Sequence, residues 1–274
     1  MERVGIIQMT SGPDINANLD FIEKQCALAS KQGAKLVLTP ENTVLFSSRE
    51  AYHQHAEPLG SGMIQQRLCE ITRKNQLTLI VGSMPIQTAK GVTTTTLVFP
   101  PHGKCIAHYD KLHMFDVDVA DGYGSYRESD TFMAGNQIVV AETDIGSVGL
   151  SICYDLRFPE LYKVLRQEGG GYHCGARCVY RCDGGQAHWE VLLRARAIET
   201  QCWILASGQT GTHPCGRKTW GTLNGRPLGG RIHKQLQDEV GLLVTEIDLS
   251  QSQQVRQNMP LTQHSRFQNE LRRK

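Results

Sequence analysis

The sequence predicts an α/β layered domain built on a mixed sheet, and three observations carry that expectation. Short apolar runs alternate with segments of helical periodicity through most of the 274 residues. Some of these runs are separated only by turn residues, so antiparallel hairpins join what would otherwise be a parallel sheet. Neither an internal repeat nor a linker-like composition divides the chain, whose length suits one α/β unit. The expected organisation is a main domain over residues 1–250 and a polar, extended tail over residues 251–274.

Taken in order, the apolar run at residues 4–9 is the first strand. Residues 16–32 carry Leu19, Ile22, Ala27 and Leu28 at helical spacing, with Asn16 or Asn18 as the N-cap and Gly33 closing the helix. Residues 35–39 form a second strand that ends at Pro40-Glu41. A helix over 64–74 precedes a strand over 78–84, and the turn Pro100-Pro-His-Gly103 joins strands 93–99 and 104–108 into a hairpin. Residues 146–153 read as a strand, Pro159–Gln167 as a helix, 187–201 as a strong helix, and 202–207 as the strand after it.

Composition narrows the function. A hydrophobic fraction of 40% and a charged fraction of 20% suit a globular protein, and a net charge of +2 gives no general case for nucleic acid or membrane. The basic stretch from Arg266 to Lys274 reads as a solvated end. The opening apolar run is too short for a signal segment, so the expected location is the cytoplasm. Nine cysteines, an odd number, argue for free thiols rather than a disulfide framework.

Three residues of different chemistry each follow a separate strand end. Cys153 lies where an apolar strand ends and a helix is about to start, so backbone N–H groups there favour a thiolate and can hold an oxyanion. Taken alone it is more simply a buried structural thiol. Glu41 follows residues 35–40, where a partly desolvated glutamate serves as a general base; alone it is also an exposed loop carboxylate. Lys111 follows the strand 104–108 within an apolar and aromatic flank of Tyr109, Leu112, Met114 and Phe115. There a lysine steadies the anionic intermediate of acyl transfer, although a solvated surface lysine is the plainer alternative.

Together, the segments around Glu41, Lys111 and Cys153 resemble the Glu-Lys-Cys motifs of the nitrilase, or carbon–nitrogen hydrolase, superfamily. Cys153-Tyr-Asp-Leu-Arg-Phe-Pro-Glu160 is a close match, and the likeness extends from Val4 to about Asp248. It resembles the branch that holds the deaminated glutathione amidases and ω-amidases. The resemblance implies a four-layer αββα sandwich, a homodimer, no metal and no organic cofactor. It also implies that Glu41 takes the thiol proton, that Cys153 attacks an amide of a small carboxylate-bearing substrate, and that Lys111 and the backbone N–H of Tyr154 hold the oxyanion. Ammonia is then released and water hydrolyses the thioester. Glu128 matches a second family glutamate that positions substrate or Lys111, with a plain loop carboxylate as the alternative. Arg157, close to the nucleophile, meets a substrate carboxylate or forms a structural ion pair. The readings that remain are amide hydrolysis of deaminated glutathione, ω-amidase action on 2-oxoglutaramate-type amides, and a non-catalytic remnant of the family.

Two stretches depart from the family pattern. Residues 169–184 are rich in Gly and Cys and poor in Val, Ile and Leu, which suits them badly to the buried parallel strand expected there. Residues 222–237 depart where relatives carry a strand, a turn and a strand. Each stretch reads as a frame slip corrected downstream, with a genuine lineage-specific loop as the alternative for the first, and a coding sequence in which no single-base shift restores an apolar strand refutes the frame-slip reading. The expected consequence is impaired folding or activity, because each buried aliphatic side chain contributes about 1.5–3 kcal/mol. His173, Cys174, Cys178 and Cys182 could also suggest a metal site, but their spacing matches no standard zinc pattern.

Overall fold

The computed structural model describes residues 1–119, 124–177, 185–219, 221–225, 232–236 and 239–272. Side chains alternate across a strand, and the first strand, Glu2–Gln8, shows what that alternation builds. Val4 and Ile6 enter one apolar layer while Ile7 enters another. The same division recurs in Leu36–Leu38, where Leu36 and Leu38 face one way and Val37 the other.

These strands belong to a sheet ordered 241–247, 2–8, 36–38, 78–88, 91–99 and 107–110, with Glu57–Pro58 added along 86–87. Strands 2–8, 36–38 and 78–88 are parallel, and the rest of the order is antiparallel. A second sheet is ordered 232–236, 222–225, 203–208, 172–177, 146–152 and 140–143, with a parallel centre formed by 146–152, 172–177 and 203–208. Val4, Ile6, Leu36, Leu38, Ile80, Val148, Leu150, Ile152 and Leu205 fill the layer between the sheets. Helices Ile15–Lys31 and Met63–Asn75 cover the outer face of the first sheet through Leu19, Ile22, Leu68 and Ile71. Helices Pro159–Gln167 and Gly185–Thr200 cover the second through Leu161, Leu165, Leu193 and Ala197. The result is the expected αββα sandwich.

Most expected elements form within a few residues of their predicted bounds. The first helix differs in its cap: Asp14 accepts from the Ala17 amide at 3.0 Å, while Asn18 is turned inward onto the carbonyls of Gly12 and Val44. The hairpin after Pro100 returns later than expected, at Ala107–Asp110. A further hairpin, Asp116–Val119 with Gly124–Arg127, carries the chain to Glu128.

The Gly- and Cys-rich stretch corrects the sequence reading. Tyr172–Arg177 is a parallel strand at the centre of the second sheet. Tyr172 and Cys174 replace aliphatic side chains in the inter-sheet layer, so one face of this strand is apolar after all. The opposite face carries His173, fully buried beside Tyr162 with neither ring nitrogen hydrogen-bonded. Because His173 and Cys174 point to opposite faces, they do not share a metal; Cys178 and Cys182 lie outside the described residues. The second departing stretch also keeps its strands: Thr222–Gly225 pairs antiparallel with Ile232–Leu236, and residues 226–231 and 237 lie outside the described residues.

The C-terminal segment is helical at its start rather than extended. Leu249–Asn258 is capped by Asp248 and docks against the second sheet through Trp203 Nε1 to Asp248 O (2.8 Å) and Gln201 Nε2 to Met259 O (2.8 Å). Among the described residues, no helix is long and apolar enough to cross a membrane.

Candidate active site

Glu41, Lys111 and Cys153 stand just beyond the ends of Leu36–Leu38, Ala107–Asp110 and Gly146–Ile152, and all three line one cavity of about 370 Å³. The first two strands belong to one sheet and the third to the other, so packing the sheets face to face brings the three side chains together.

Cys153 holds φ = +48°. That left-handed conformation costs a non-glycine residue about 1–3 kcal/mol and is retained only where surrounding contacts enforce it. Asp155 supplies them. Its fully buried carboxylate accepts from Ile152 N (2.9 Å) and Tyr109 OH (2.7 Å) through Oδ2, and from His113 N (3.2 Å) through Oδ1. His113 Nδ1 lies 2.7 Å from the same Oδ1, and its ring stacks on Phe158. One carboxylate therefore ties the turn of the nucleophile to both flanks of Lys111. Burial and the Asp155 charge push the Tyr109 pKa well up, which keeps the phenol a donor. The element after Cys153 is a five-residue 3-10 turn, Cys153–Arg157, and the α-helix begins at Pro159. The helix-dipole contribution at Cys153 is accordingly smaller than the sequence suggested.

The Glu41 turn is held from beneath. Gln209 Nε2 donates to Glu41 O (3.0 Å), Asn42 N to Ser83 Oγ (2.9 Å), and Thr43 N to Ser83 O (3.0 Å). Gly82 makes this approach possible, because a Cβ there would lie 2.2 Å from Thr39 O and 2.3 Å from Pro40 O.

Lys111 is buried, and its Nζ bridges Glu41 Oε1 (2.9 Å) and both oxygens of Glu128 (2.8 and 2.9 Å). Glu128 is fixed in turn by Phe115 N at 2.7 Å. Burial opposes the ammonium, but the Glu128, Glu41 and Cys153 charges outweigh it and hold the Lys111 pKa well above its ordinary value. Burial raises the Glu41 carboxyl, with the Lys111 charge opposing that rise, and the Cys153 thiol is hydrogen-bonded to it. A proton acceptor thus contacts a thiol, and a fixed cation lies beside both. Such a set can deprotonate a nucleophile and stabilise an oxyanion.

Of the other expected residues, Glu128 joins the cluster, whereas the Tyr154 ring packs edge-on against Phe115 and Phe158 outside the cavity wall. Arg157 is exposed, with its Nη2 3.5 Å from His188 Nδ1, and does not line the cavity. The wall instead holds Arg49, Arg127 and Arg217. Asp155 draws no role from the sequence, because its carboxylate stands in a run that also carries Arg157 and Glu160; burial is what obliges it to collect donors.

The sequence matches the carbon–nitrogen hydrolase family over residues 3–257. It is 41% identical over 271 residues to a deaminated glutathione amidase of Yersinia enterocolitica, covering 98% of this chain and 94% of that one. It is 31% identical to a chloroplastic omega-amidase of Arabidopsis thaliana, covering 96% and 72%. Among solved structures, Saccharomyces cerevisiae Nit3, a member of branch 10 of the nitrilase superfamily, superposes with a TM-score of 0.86 at 25% identity, covering 97% of both chains.

Proposed function

The chain belongs to the carbon–nitrogen hydrolase family, and on that premise we propose that it hydrolyses a small carboxylate-bearing amide, deaminated glutathione foremost, through a thioester on Cys153. The observation that carries this reading is the buried Lys111 ammonium bridging Glu41 and Glu128 beside the Cys153 thiol.

In the first half-reaction Glu41 takes the thiol proton as Cys153 Sγ bonds to the amide carbon. The negative charge that develops on the carbonyl oxygen is met by Lys111 and the Tyr154 N–H, which are fixed before the reaction and need no reorganisation. Collapse breaks the C–N bond, and Glu41 passes its proton to the departing nitrogen. The leaving group is the amine half of the amide. For a primary amide it is ammonia; for deaminated glutathione it is the dipeptide amine, which corrects the expectation of ammonia release for that substrate. In the second half-reaction Glu41 takes a proton from water as the oxygen attacks the thioester, and the thiol leaves with that proton. Glu128 is a positioning residue that shares the Lys111 charge. We read the protein as a homodimer, on the strength of the family resemblance, and as cytoplasmic, where an odd set of nine cysteines stays as free thiols.

The substrate is tested by kcat/KM for deaminated glutathione and for a 2-oxoglutaramate-type amide, measured on one preparation. Higher kcat/KM for deaminated glutathione is the expected result. The reverse order assigns the chain to the ω-amidase reading, and turnover of neither amide above the Cys153→Ala background refutes both.

A further inference from the structure

Resting on the reading of Cys153 as an acyl-transfer nucleophile, we infer that His113 is a positioning residue that sets Lys111 against the nucleophile's turn. The need for one follows from the fold. Lys111 is anchored on the first sheet, where its N–H donates to Thr94 O (3.1 Å) and its carbonyl accepts from Gly135 N (2.8 Å). Cys153 follows a strand of the second sheet, Gly146–Ile152. The layer between the sheets is apolar, and apolar burial has no direction. Directional contacts must therefore fix the ammonium relative to the thiol.

His113 makes such contacts at two points of the 3-10 turn. Its backbone N–H (3.2 Å) and its Nδ1 (2.7 Å) both meet Asp155 Oδ1. A carboxylate only accepts, so Nδ1 carries the hydrogen and the residue grips one oxygen twice. The other oxygen holds Ile152 N, directly before the nucleophile. The second point is Phe158, whose ring lies 3.6 Å from the imidazole with 8° between the planes. Phe158 in turn donates its N–H to Asp155 O at 3.0 Å. The imidazole is thus wedged between the carboxylate inside the turn and the aromatic residue that closes it.

The turn it holds is a strained one. Cys153 keeps φ = +48° only while its surroundings enforce it, and a displacement of about 1 Å in a reacting group can cost about 10²-fold in rate. His113 is also the member of this network best suited to substitution. Its side chain is 29% exposed, so replacing it removes little buried volume. Asp155→Asn is a poorer probe: whichever way the amide is turned, its NH2 faces donors in a fully buried site.

The test compares His113→Ala, His113→Phe and His113→Asn with the wild type on deaminated glutathione and a 2-oxoglutaramate-type amide. His113→Ala removes both side-chain contacts, His113→Phe keeps the stacking alone, and His113→Asn returns a donor near the Nδ1 position. His113→Ala is expected to lower kcat by about 10²-fold, with KM nearly unchanged because His113 does not line the cavity. His113→Phe falls almost as far, and His113→Asn recovers part of the loss. Iodoacetamide alkylation of Cys153, followed by peptide mapping, supplies a readout that needs no turnover. It should slow in His113→Ala, because a displaced thiol loses the Glu41 contact that promotes thiolate. Exposed Cys215 should react as before, and buried Cys26 and Cys174 should stay protected. If the wild type hydrolyses neither amide while Cys153 alkylation still depends on His113, the hydrolase reading fails and the positioning role stands. Wild-type kcat and alkylation in His113→Ala, a loss confined to KM, or reaction of Cys26 and Cys174 that marks general loosening would overturn the inference.

Discussion

Replacing Lys111 with methionine is expected to lower kcat/KM for amide hydrolysis by about 10²–10³-fold or more, the size of effect that follows loss of one oxyanion stabiliser. It should also cost about 3–5 kcal/mol of folding stability, because it removes one partner of a buried ion pair. Glu41 and Glu128 would then face each other across the vacated ammonium position, each having lost its contact with Nζ. Two buried like charges cannot both remain ionised without large cost, so one carboxylate takes up a proton. Its unfolded counterpart ionises at an ordinary pKa, so the stability deficit grows as pH rises from the acid range toward neutrality. Denaturant unfolding at several pH values and steady-state kinetics check both parts. A Lys111→Met protein with wild-type stability and less than a tenfold loss of turnover contradicts the electrostatic account.

The second large effect concerns His173. Its imidazole is sealed in the layer between the second sheet and its helices, where the neighbouring strand places Ile204 and Ala206. Burial, reinforced by the charges of Arg256 and Arg166, lowers its pKa to about 3. The unfolded side chain titrates near 6.5, so between these values the unfolded state binds the extra proton. This group leaves stability undiminished above about pH 6.5 and removes up to about 1.4 kcal/mol for each pH unit below it. Unsatisfied buried polar groups cost about 1–3 kcal/mol, so His173→Val should raise stability by that order at neutral pH. Each kcal/mol corresponds to about 2–4 °C in Tm for a chain of this size class. The variant should also flatten the acid-side fall in Tm. An unchanged Tm with an unchanged acid slope would show that the imidazole is not a point of weakness.

The layered fold was legible because alternation and helical spacing are strong along most of the chain. Val4, Ile6 and Ile7 already carry the two-faced pattern that divides the core into layers. Tyr172–Arg177 was illegible for a physical reason. Tyr and Cys fill an inter-sheet layer as apolar volume, but neither belongs to the Val, Ile and Leu signature by which buried parallel strands are recognised. Strand identity there is imposed by flanking partners, 146–152 and 203–208, and not by local propensity.

At the site, Glu41, Lys111, Glu128 and Cys153 were legible because each chemical type follows a strand end or a family motif. Arg217 was not. It is 64 residues beyond Cys153 by their numbers, on a turn, and its part in the cavity depends on Phe46 and Tyr126 from distant parts of the chain. Arg157, adjacent in sequence to the nucleophile, instead turns outward with the 3-10 turn. Asp155 shows the same limit, since its partners Tyr109 and His113 meet it only after the two sheets pack.

The most direct measurement is intact-mass analysis of the protein quenched during turnover of its amide substrate, followed by peptide mapping. The account predicts an acyl adduct on the peptide carrying Cys153, absent from Cys153→Ala, together with loss of hydrolysis in that variant. An adduct on any other of the nine cysteines, or undiminished turnover by Cys153→Ala, would contradict it.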